Sequence, residues 1–445
     1  MAVTDSFISA INSFSSRSFS DQELHQLKRC VLDWLGVSYA GAKVLSHRLD
    51  PLIPPCGVNE CSSFVSDNKM DMFSAAFVNG FAAHILELDD GHRFGMLHLE
   101  ALIMPAMLAV CQKEHLGFDS FVRGVMVGYQ TTVKLARLIQ PYHKKCGFHA
   151  TGTCGTIGVA VAASVALGLD DSGINNAIGA AVTQASGLLV AIDSPSEMKP
   201  YNIAGAVESG LRAAYLAKCG FTGPDDPLDG KRGFLKVYAP KGVEIHDELY
   251  DSDSEILNIY FKPYVSCRHC HAPVECSLML RSGNVVQCEH IVSITVETYL
   301  LAISGHDSKD IDTPAAAKMS IPYCVAVSIY SGHCGMDEFS DEIVHNPVVH
   351  SIMDKVNVIE DEEMTKASPG KRGARVKILF DDGVEISKEV DNPLGEPEHP
   401  MSDEEIEEKY FNLMSFASVP KNHANSLRDM VWNLDSKFEE FKQIL

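Results

Sequence analysis

Residues 147–169, GFHATGTCGTIGVAVAASVALGL, decide the fold, because the stretch combines small and apolar residues and contains no acidic, lysine or arginine side chain. Glycine and alanine leave room for neighbouring helices to approach closely. We therefore expect residues 155–169 to form a buried helix in the middle of a helical bundle. Residues 174–190 have a similar composition and predict a second helix of this kind.

Helical spacing of apolar residues extends from this centre towards both ends of the chain. Leu24, Leu27 and Val31 recur with that spacing, and Ser20 or Asp21 stands ahead of them as an N-cap. After residue 400 the sequence becomes helical again, beginning at Ser402-Asp403-Glu404-Glu405. We predict further helices over residues 72–84, 101–111, 118–139 and 208–219, the last of them ending at Gly220.

The character of the sequence changes near Phe261. Val292, Ile294 and Val296 alternate with polar side chains, and Val376, Ile378 and Phe380 recur at every second position before the turn at 381–383. This alternation predicts strands and a hairpin, with helices between them over 318–331 and 340–356. The expected fold class is mainly α: a large all-helical domain of residues 1–260 and 400–445, into which a smaller α+β lid domain of residues 261–399 is inserted.

The composition restricts the class of protein. A chain of 445 residues is too long for one ordinary core, so two domains are expected. The net charge of −22 argues against a nucleic acid as the partner, because binding phosphates needs a basic surface. A few clustered lysine, arginine and histidine residues can still form a positive pocket inside an acidic protein.

The sequence also bears on the location of the protein. No stretch holds ~18 consecutive apolar residues, so we expect no membrane span. The first residues lack the basic and apolar segments of a signal peptide, and the 13 cysteines show no repeating framework. Both features indicate a cytoplasmic protein with free thiols.

Four polar clusters interrupt apolar or glycine- and alanine-rich surroundings. Each can be explained without a function: the acidic pair caps a helix, the histidine in a turn is a buried residue with its hydrogen bonds made, and the lysine before proline lies in solvent. Each can instead carry chemistry. The clusters lie at 87–93 with His98, at 147–153, at 198–200 and at 262–271.

The last cluster invites a zinc site through Cys267, His269, Cys270 and His271. Structural zinc sites combine cysteine and histidine pairs at regular spacing with a distant second pair. The spacing here matches no ordinary zinc finger and lacks such a partner pair, so we expect no metal.

Five segments of the chain, taken in order, resemble the motifs of the MmgE/PrpD family. Together they span nearly the whole sequence, and five ordered matches are far more specific than any one of them. The segments are LELDDGHR at 86–93, the stretch 147–169, MKPYNIAGAVESGLRAAYLAKCGFTGP at 198–224, KPYVSCRHCHAPVE at 262–275 and GEPEHPMSDEEIEEKY at 395–410.

The resemblance implies a fold and an activity. The family comprises 2-methylcitrate dehydratases, cis-aconitate decarboxylases and an iminodisuccinate epimerase, with a helical domain, a smaller α+β lid and the site between them. Homodimers without a cofactor are usual. The motifs place the catalytic residues at His98, His149, Lys199, His271 and Tyr323. The family's acidic position falls on Glu87 or Asp90. We expect both of these residues, together with His92, Arg93, Lys199 and Arg268, to bind the substrate.

These residue types suit proton transfer next to a carboxylate. Neutral imidazole is the natural base, and we expect His149 to be the main base with His98 as a second proton carrier. Lys199 anchors a substrate carboxylate, and Arg268 adds positive charge for the enediolate-like intermediate. His271 or Tyr323 then serves as the second acid.

Departures from the family motifs lie at the substrate pocket. His98-Leu99-Glu100 stands where the family has His-Pro-Gly or His-Pro-Ser. A glutamate beside an anion site is unfavourable unless it pairs with a cation, for which Arg93 is one candidate. Gly91-His92-Arg93 replaces the hydroxyl that usually follows the acidic pair. Both changes indicate a substrate other than 2-methylcitrate.

The leading functional prediction is a dehydratase that acts on a small di- or tricarboxylate. The alternatives are an epimerase of an imino- or amino-dicarboxylate and a lyase similar to cis-aconitate decarboxylase. A non-catalytic homologue is disfavoured, because His149, Lys199 and His271 are all present.

Overall fold

The computed structural model describes residues 3–53, 59–192, 196–239, 253–283 and 286–444. The fold is mainly α, with one small sheet, as the sequence predicts. No described helix is both long and apolar enough to cross a membrane. The helices of the first part are α1 (Val3–Ser16), α2 (Asp21–Leu45), α3 (Met72–His84), α4 (Glu100–Lys113), α5 (Phe118–Ile139), α6 (Tyr142–Lys145), α7 (Ala150–Ala166), α8 (Asp171–Val182), α9 (Lys199–Lys218) and α10 (Phe234–Tyr238).

Helix α7 lies at the centre of this helical bundle and packs against α4, α5, α8 and α9. All of its residues except Val165 are buried. Its small side chains bring the neighbouring backbones close: a Cβ atom on Gly158 would lie 1.8 Å from Thr132 Oγ1. The prediction of a buried central helix is confirmed.

The helix predicted over 174–190 is shorter than expected, because α8 ends at Val182. The chain then runs antiparallel to residues 147–149, where the Gly187 carbonyl accepts from His149 N–H and Leu189 N–H donates to the Gly147 carbonyl. Gly187 has a φ of 139°, which favours glycine. The segment 187–192 thereby lies beside the start of α7.

The sheet lies in the second part of the chain and has the order β2-β1-β3-β4. Strands β1 and β2 are parallel, whereas β3 pairs antiparallel with both β1 and β4. Helices α11 and α14 pack on the sheet and on each other. The elements are α11 (His271–Gly283), β1 (Ile291–Thr298), α12 (Leu300–Ile303), α13 (Pro314–Lys318), α14 (Ile321–Ser331), α15 (Asp341–Val344), α16 (Pro347–Met353), β2 (Val356–Glu360), α17 (Glu362–Ala367), β3 (Ala374–Phe380) and β4 (Glu385–Val390).

The predicted hairpin is confirmed, with Gly383 at a φ of 83° in the turn between β3 and β4. The single helix predicted over 340–356 is wrong. Asn346 caps a new helix that begins at Pro347, and Val356 already belongs to β2. Proline favours the first turn of a helix and ends the one before it, so the segment divides there.

The last helices, α18 (Asp403–Phe416), α19 (Lys421–Trp432) and α20 (Leu434–Ile444), return to the bundle. Helix α18 begins with a capping box at Ser402, as predicted, and packs against α2. The chain enters and leaves the α+β region side by side, where Phe261 N–H donates to the Gly395 carbonyl. From this crossing we propose the division predicted from the sequence, with residues 261–399 as the inserted unit.

Because α7 packs closely against α9, we expect alanine substitutions at two glycines of α9 to change the stability of the protein differently. Gly210→Ala places a Cβ atom 2.6 Å from the Thr156 carbonyl oxygen, so we expect the free energy of unfolding to fall by about 1–3 kcal/mol. Gly205 lies on the same helix with nothing within 4 Å of its Cβ position. Gly205→Ala should leave stability unchanged or raise it by up to about 1 kcal/mol. Denaturant unfolding of both variants measures this, and equal effects would contradict the packing.

Candidate active site

A partly enclosed cavity lies where the helical bundle meets the α+β region. Five of its lining residues are lysine or arginine and four are histidine, against a single carboxylate, that of Glu87. An excess of cations in a partly enclosed space selects anionic ligands, even in a protein of net charge −22. The lining residues are Glu87, Met96, Leu97, His98, Gln140, Lys144, Phe148, His149, Ala150, Leu189, Ile192, Lys199, Tyr260, Lys262, Cys267, Arg268, His269, His306, Met319 and Arg372.

Glu87 and Lys199 form an ion pair in the cavity wall, with Lys199 Nζ 2.5 Å from Glu87 Oε2. Lys199 is the first residue of α9, where a cation is disfavoured by the helix dipole, so the pair offsets that cost. Burial alone would raise the pKa of Glu87, but the charges of Lys199, His84 and Lys262 hold it well below its usual range. Glu87 has a φ of 57°, a left-handed conformation that is uncommon outside glycine.

His98 precedes α4, and its ring is oriented by the backbone. Its Nδ1 lies 2.7 Å from the Asp90 carbonyl oxygen, which can only accept, so Nδ1 carries the proton. Burial lowers the pKa of His98 well below its ordinary value, and the charges of Lys262, His84 and Lys199 add to that effect. His98 is therefore neutral, with the lone pair on Nε2, for which the described part of the chain supplies no hydrogen-bond donor.

His149 stands at the N-cap position of α7, and its ring has the opposite tautomer. The Asn202 amide nitrogen lies 3.3 Å from the Leu188 carbonyl oxygen and 3.3 Å from His149 Nδ1. Because the Leu188 carbonyl can only accept, the Asn202 nitrogen is a donor and His149 Nδ1 accepts from it. The neutral ring of His149 therefore carries its proton on Nε2. Burial and the charge of Lys199 lower the pKa of His149 well below its ordinary value.

Several cationic residues of the cavity were not predicted from the sequence. Lys262 donates to the Glu87 carbonyl at 2.7 Å, and Arg372 donates to the Arg93 carbonyl at 2.7 Å. Lys144 Nζ lies 3.0 Å from His269 Nε2, and burial lowers the pKa of Lys144 to about 8.

Their signals in the sequence differ in strength. Lys262 and His269 lie in the polar cluster 262–271, and Lys144 lies in a short basic run before Gly147. His306 and Arg372 lack any such signal, because distant segments bring them to the cavity.

Arg268 lines the cavity, as predicted, but all five of its N–H groups already have acceptors. Two donate to Glu396 Oε1, two to the carbonyls of Pro393 and Leu394, and one to His271 Nδ1. It contributes charge to the wall, but a direct bond to a ligand would cost it one of these partners.

His271 does not line the cavity, contrary to what we expected. It is fully buried behind Arg268, and its Nε2 lies 3.2 Å from the Ser266 carbonyl oxygen. Both ring nitrogens therefore have partners in the protein. Tyr323 also lies away from the cavity, with its hydroxyl donating to the Glu338 carbonyl at 2.6 Å.

Three predicted substrate-binding residues also lie outside the lining and hold the loop 87–98 in place. Asp90 accepts from Leu99 N–H and Glu100 N–H, both at 2.9 Å, and its own carbonyl orients His98. Of the other two, His92 is held by Glu255, with 3.2 Å between His92 Nε2 and Glu255 Oε2. Burial lowers the pKa of His92. Arg93 forms an ion pair in which its Nη1 lies 2.7 Å from Glu398 Oε2.

A metal was not expected at residues 267–271, and Cys267 and His269 have separate partners there, His306 and Tyr299. Within the described ranges, His84, Asp89 and His98 bring three possible metal-ligand atoms within 4.8 Å of one another. His84 Nδ1 already lies 2.8 Å from Asp89 Oδ2, and His98 Nδ1 donates to the Asp90 carbonyl. The other atoms of this group, His84 Nε2 and Asp89 Oδ1, have no hydrogen-bond partner in the described part of the chain.

Glu100 is fully buried beneath the cavity, and the candidate pair with Arg93 does not form. No N–H or O–H group of the described part of the chain donates to its carboxylate oxygens, but its side chain forms a hydrogen bond with the Asp33 carboxylate. Burial raises the pKa of Glu100 well above its ordinary value, and the charges of Asp33 and Asp90 add to this. The side chain is therefore protonated, so Glu100 does not place a negative charge beside the cavity that binds anions.

Comparison with known families matches both parts of the chain. The model of the MmgE/PrpD N-terminal domain matches residues 6–245, and that of the MmgE/PrpD C-terminal domain matches residues 264–436. The boundary between the two matches lies close to the point where the helical bundle gives way to the α+β region.

Curated relatives are similar along the chain at low identity. The cis-aconitate decarboxylase of Aspergillus terreus is 26% identical over 93% of this chain and 89% of its own length. That of Homo sapiens is 23% identical over 98% of this chain and 92% of its own length. The mitochondrial 2-methylcitrate dehydratase of Yarrowia lipolytica is 26% identical over 52% of this chain and 46% of its own length.

The raised pKa of Glu100 predicts a pH-dependent effect of Glu100→Gln. The unfolded chain releases the proton of Glu100 near pH 4.5, whereas the folded chain keeps it, so folding takes up a proton above that pH. Wild-type stability is therefore lost as pH rises through this window, by up to about 1.4 kcal/mol per pH unit. Relative to wild type, Glu100→Gln should become more stable between pH 5 and pH 8.

Denaturant unfolding at both pH values measures this difference. Glu404→Gln, an exposed carboxyl at the start of α18, is the matched control and should show no such increase. If Glu100→Gln instead loses stability relative to wild type as pH rises, Glu100 is ionised in the folded protein.

Proposed function

Because the chain belongs to the MmgE/PrpD family, we propose that it is a lyase that acts on a small di- or tricarboxylic acid at the carbon next to a carboxylate. The cavity supports this, because lysine, arginine and histidine side chains surround a single carboxylate there. Such a density of cations binds carboxylates and stabilises the enediolate-like charge that forms on an adjacent carbon.

The relatives favour cleavage of a carbon–carbon bond, with loss of carbon dioxide, over cleavage of a carbon–oxygen bond. Those that match 93% and 98% of the chain are cis-aconitate decarboxylases, whereas the 2-methylcitrate dehydratase matches 52%. We therefore place decarboxylation of an unsaturated tricarboxylate ahead of the dehydration predicted from the sequence. Dehydration of a hydroxy acid such as 2-methylcitrate is the second candidate. Epimerisation of an imino- or amino-dicarboxylate has no support among these relatives.

We assign the proton carrier at the reacting carbon to His98, rather than to His149 as the sequence suggested. His98 is neutral and presents an unprotonated Nε2, whereas His149 presents an N–H that suits a hydrogen bond to developing negative charge. In decarboxylation, carbon dioxide leaves with cleavage of the carbon–carbon bond, and the carbanion takes one proton, which His98 Nε2 accepts from water and passes to the carbon. In dehydration, His98 Nε2 takes the carbon-bound proton and passes it to the departing hydroxyl, which leaves as water.

Lys199 is the carboxylate anchor in this proposal. It reaches the cavity as an ion pair with Glu87, so a bound carboxylate competes with or shares that partner. Lys262 is held by the Glu87 carbonyl and supports the same region of positive charge. Homodimer assembly, a cytoplasmic location and the absence of a cofactor remain predictions.

The proposal is tested by proton NMR in D₂O on cis-aconitate, citrate, 2-methylcitrate, malate-like acids and iminodisuccinate. We expect cis-aconitate to give a new alkene signal together with released carbon dioxide. A vinylic signal from a hydroxy acid without carbon dioxide indicates dehydration. Loss of an α-proton signal without an alkene indicates epimerisation. Failure to convert any of these acids would contradict the proposal.

On the acid that turns over, His98→Gln should lower kcat about 10²- to 10⁴-fold, and Lys199→Met should raise KM because the anchor is lost. Matched controls are His47→Gln, at a side chain that is 90% exposed, and Lys218→Met at the other end of α9. Circular dichroism checks that each variant is folded. If His98→Gln stays within a few-fold of wild type while His149→Gln abolishes turnover, the base is His149.

A further inference from the structure

Cys267 and His306 lie on the side of the cavity that belongs to the α+β region, and the proposed reaction does not use them. Cys267 Sγ lies 3.2 Å from His306 Nε2. His306 Nδ1 lies 3.0 Å from the Ser304 carbonyl oxygen, which can only accept, so Nδ1 carries a proton and Nε2 faces the sulfur. This is the arrangement in which an imidazole takes the thiol proton and holds the thiolate.

We propose that Cys267 is a thiolate nucleophile that captures small carboxylates bearing an electrophilic carbon, which makes it a covalent modification site of this chain. Two features of the site support this. The cysteine is paired with the oriented imidazole of His306, which is only 2% exposed. It also opens into the cavity whose wall carries Lys144, Lys199 and Arg372, so a negatively charged reagent is concentrated beside the sulfur.

The charges around Cys267 favour the thiolate. Burial by itself would raise the pKa of the thiol, but the charge and hydrogen bond of His306, with a contribution from Lys199, lower it from 9.0 to about 6. The titratable and charged groups that interact with it are His306, Lys199, Glu87, Lys144, Tyr260, Tyr299 and Cys270. Burial raises the pKa of the other buried thiols, such as Cys154 and Cys276, to about 12.

The covalent step is balanced for an α-halo carboxylate. The thiolate sulfur attacks the carbon that bears the halogen, the sulfur–carbon bond forms, and the carbon–halogen bond breaks with loss of halide. An α,β-unsaturated carboxylate reacts by addition: the sulfur bonds to the β-carbon, and the α-carbon takes the proton from the His306 imidazolium. Both classes share a carboxylate next to the reacting carbon, which the cationic wall holds.

The probe pair iodoacetate and iodoacetamide tests this in the full-length protein, with site-resolved mass spectrometry of each thiol. Cys146 and Cys219 are exposed and serve as internal controls. Relative to the ratio at these controls, Cys267 should favour iodoacetate over iodoacetamide by about tenfold or more, because the cavity attracts the anion. Propane-1,2,3-tricarboxylate should protect Cys267 but not the controls. Labelling of Cys267 should rise with pH around a midpoint of about 6.

His306→Gln separates the two features of the site. It removes the proton acceptor but leaves the cations, so labelling at Cys267 should slow at pH 6.5 and its midpoint should move upwards. An unreactive Cys267, or one with the same reagent preference as Cys146 and Cys219, would overturn the proposal. An unchanged pH profile of labelling in His306→Gln would contradict the role of His306 as the acceptor of the thiol proton.

The inference rests on the anion-binding cavity of the proposed function, but not on the reaction catalysed there. Selective labelling without turnover of any acid in the NMR panel refutes only the proposed function. Turnover without selective labelling of Cys267 refutes only the present proposal.

Discussion

Positive charge that is held in a partly enclosed cavity is the constraint on which the rest of this structure depends. Like charges repel strongly where water is scarce, so each cation needs a partner that does not fill the cavity. Lys199 has Glu87, Lys262 has the Glu87 carbonyl, and Arg268 has Glu396. A bound polycarboxylate supplies the negative charge that these partners leave short, and this links the electrostatics of the wall to the proposed substrate class.

A C-terminal helix, α18, holds the loop that carries Glu87. Lys409 on α18 donates to the Leu88 carbonyl at 2.8 Å and lies 2.6 Å from Asp33 on α2. The loop that carries Glu87 and orients His98 is therefore tied to both ends of the chain. Displacement of α18 would release the Leu88 carbonyl next to Glu87, so packing of the helical bundle also positions the loop that carries the proton carrier.

Much of the fold could be predicted because it depends on local patterns. Helical spacing identified α3 and α5, and capping residues identified the starts of α2 and α18. The alanine- and glycine-rich composition identified α7 as a central helix. The helix predicted over 174–190 was too long because backbone pairing with residues 147–149 competes with helix formation beyond Val182. Such pairing joins segments about forty residues apart, and a local pattern does not contain it.

The site could be predicted only where motif and geometry agree. Glu87, His98, His149, Lys199 and Arg268 reach the cavity, because each stands in a polar cluster at the start or end of a helix. Arg93 does not, because an acidic residue in a distant segment is the stronger partner. Arg372 comes from the loop before β3, and nothing in its local sequence marks it.

A calorimetric titration with propane-1,2,3-tricarboxylate, an unreactive saturated relative of cis-aconitate, tests the central claim most directly. The account predicts one site per chain, an affinity that falls as salt rises, and a marked loss of affinity in Lys199→Met but not in Lys218→Met. Absence of binding, or equal binding to both variants, would contradict the claim that this cavity is an anion site.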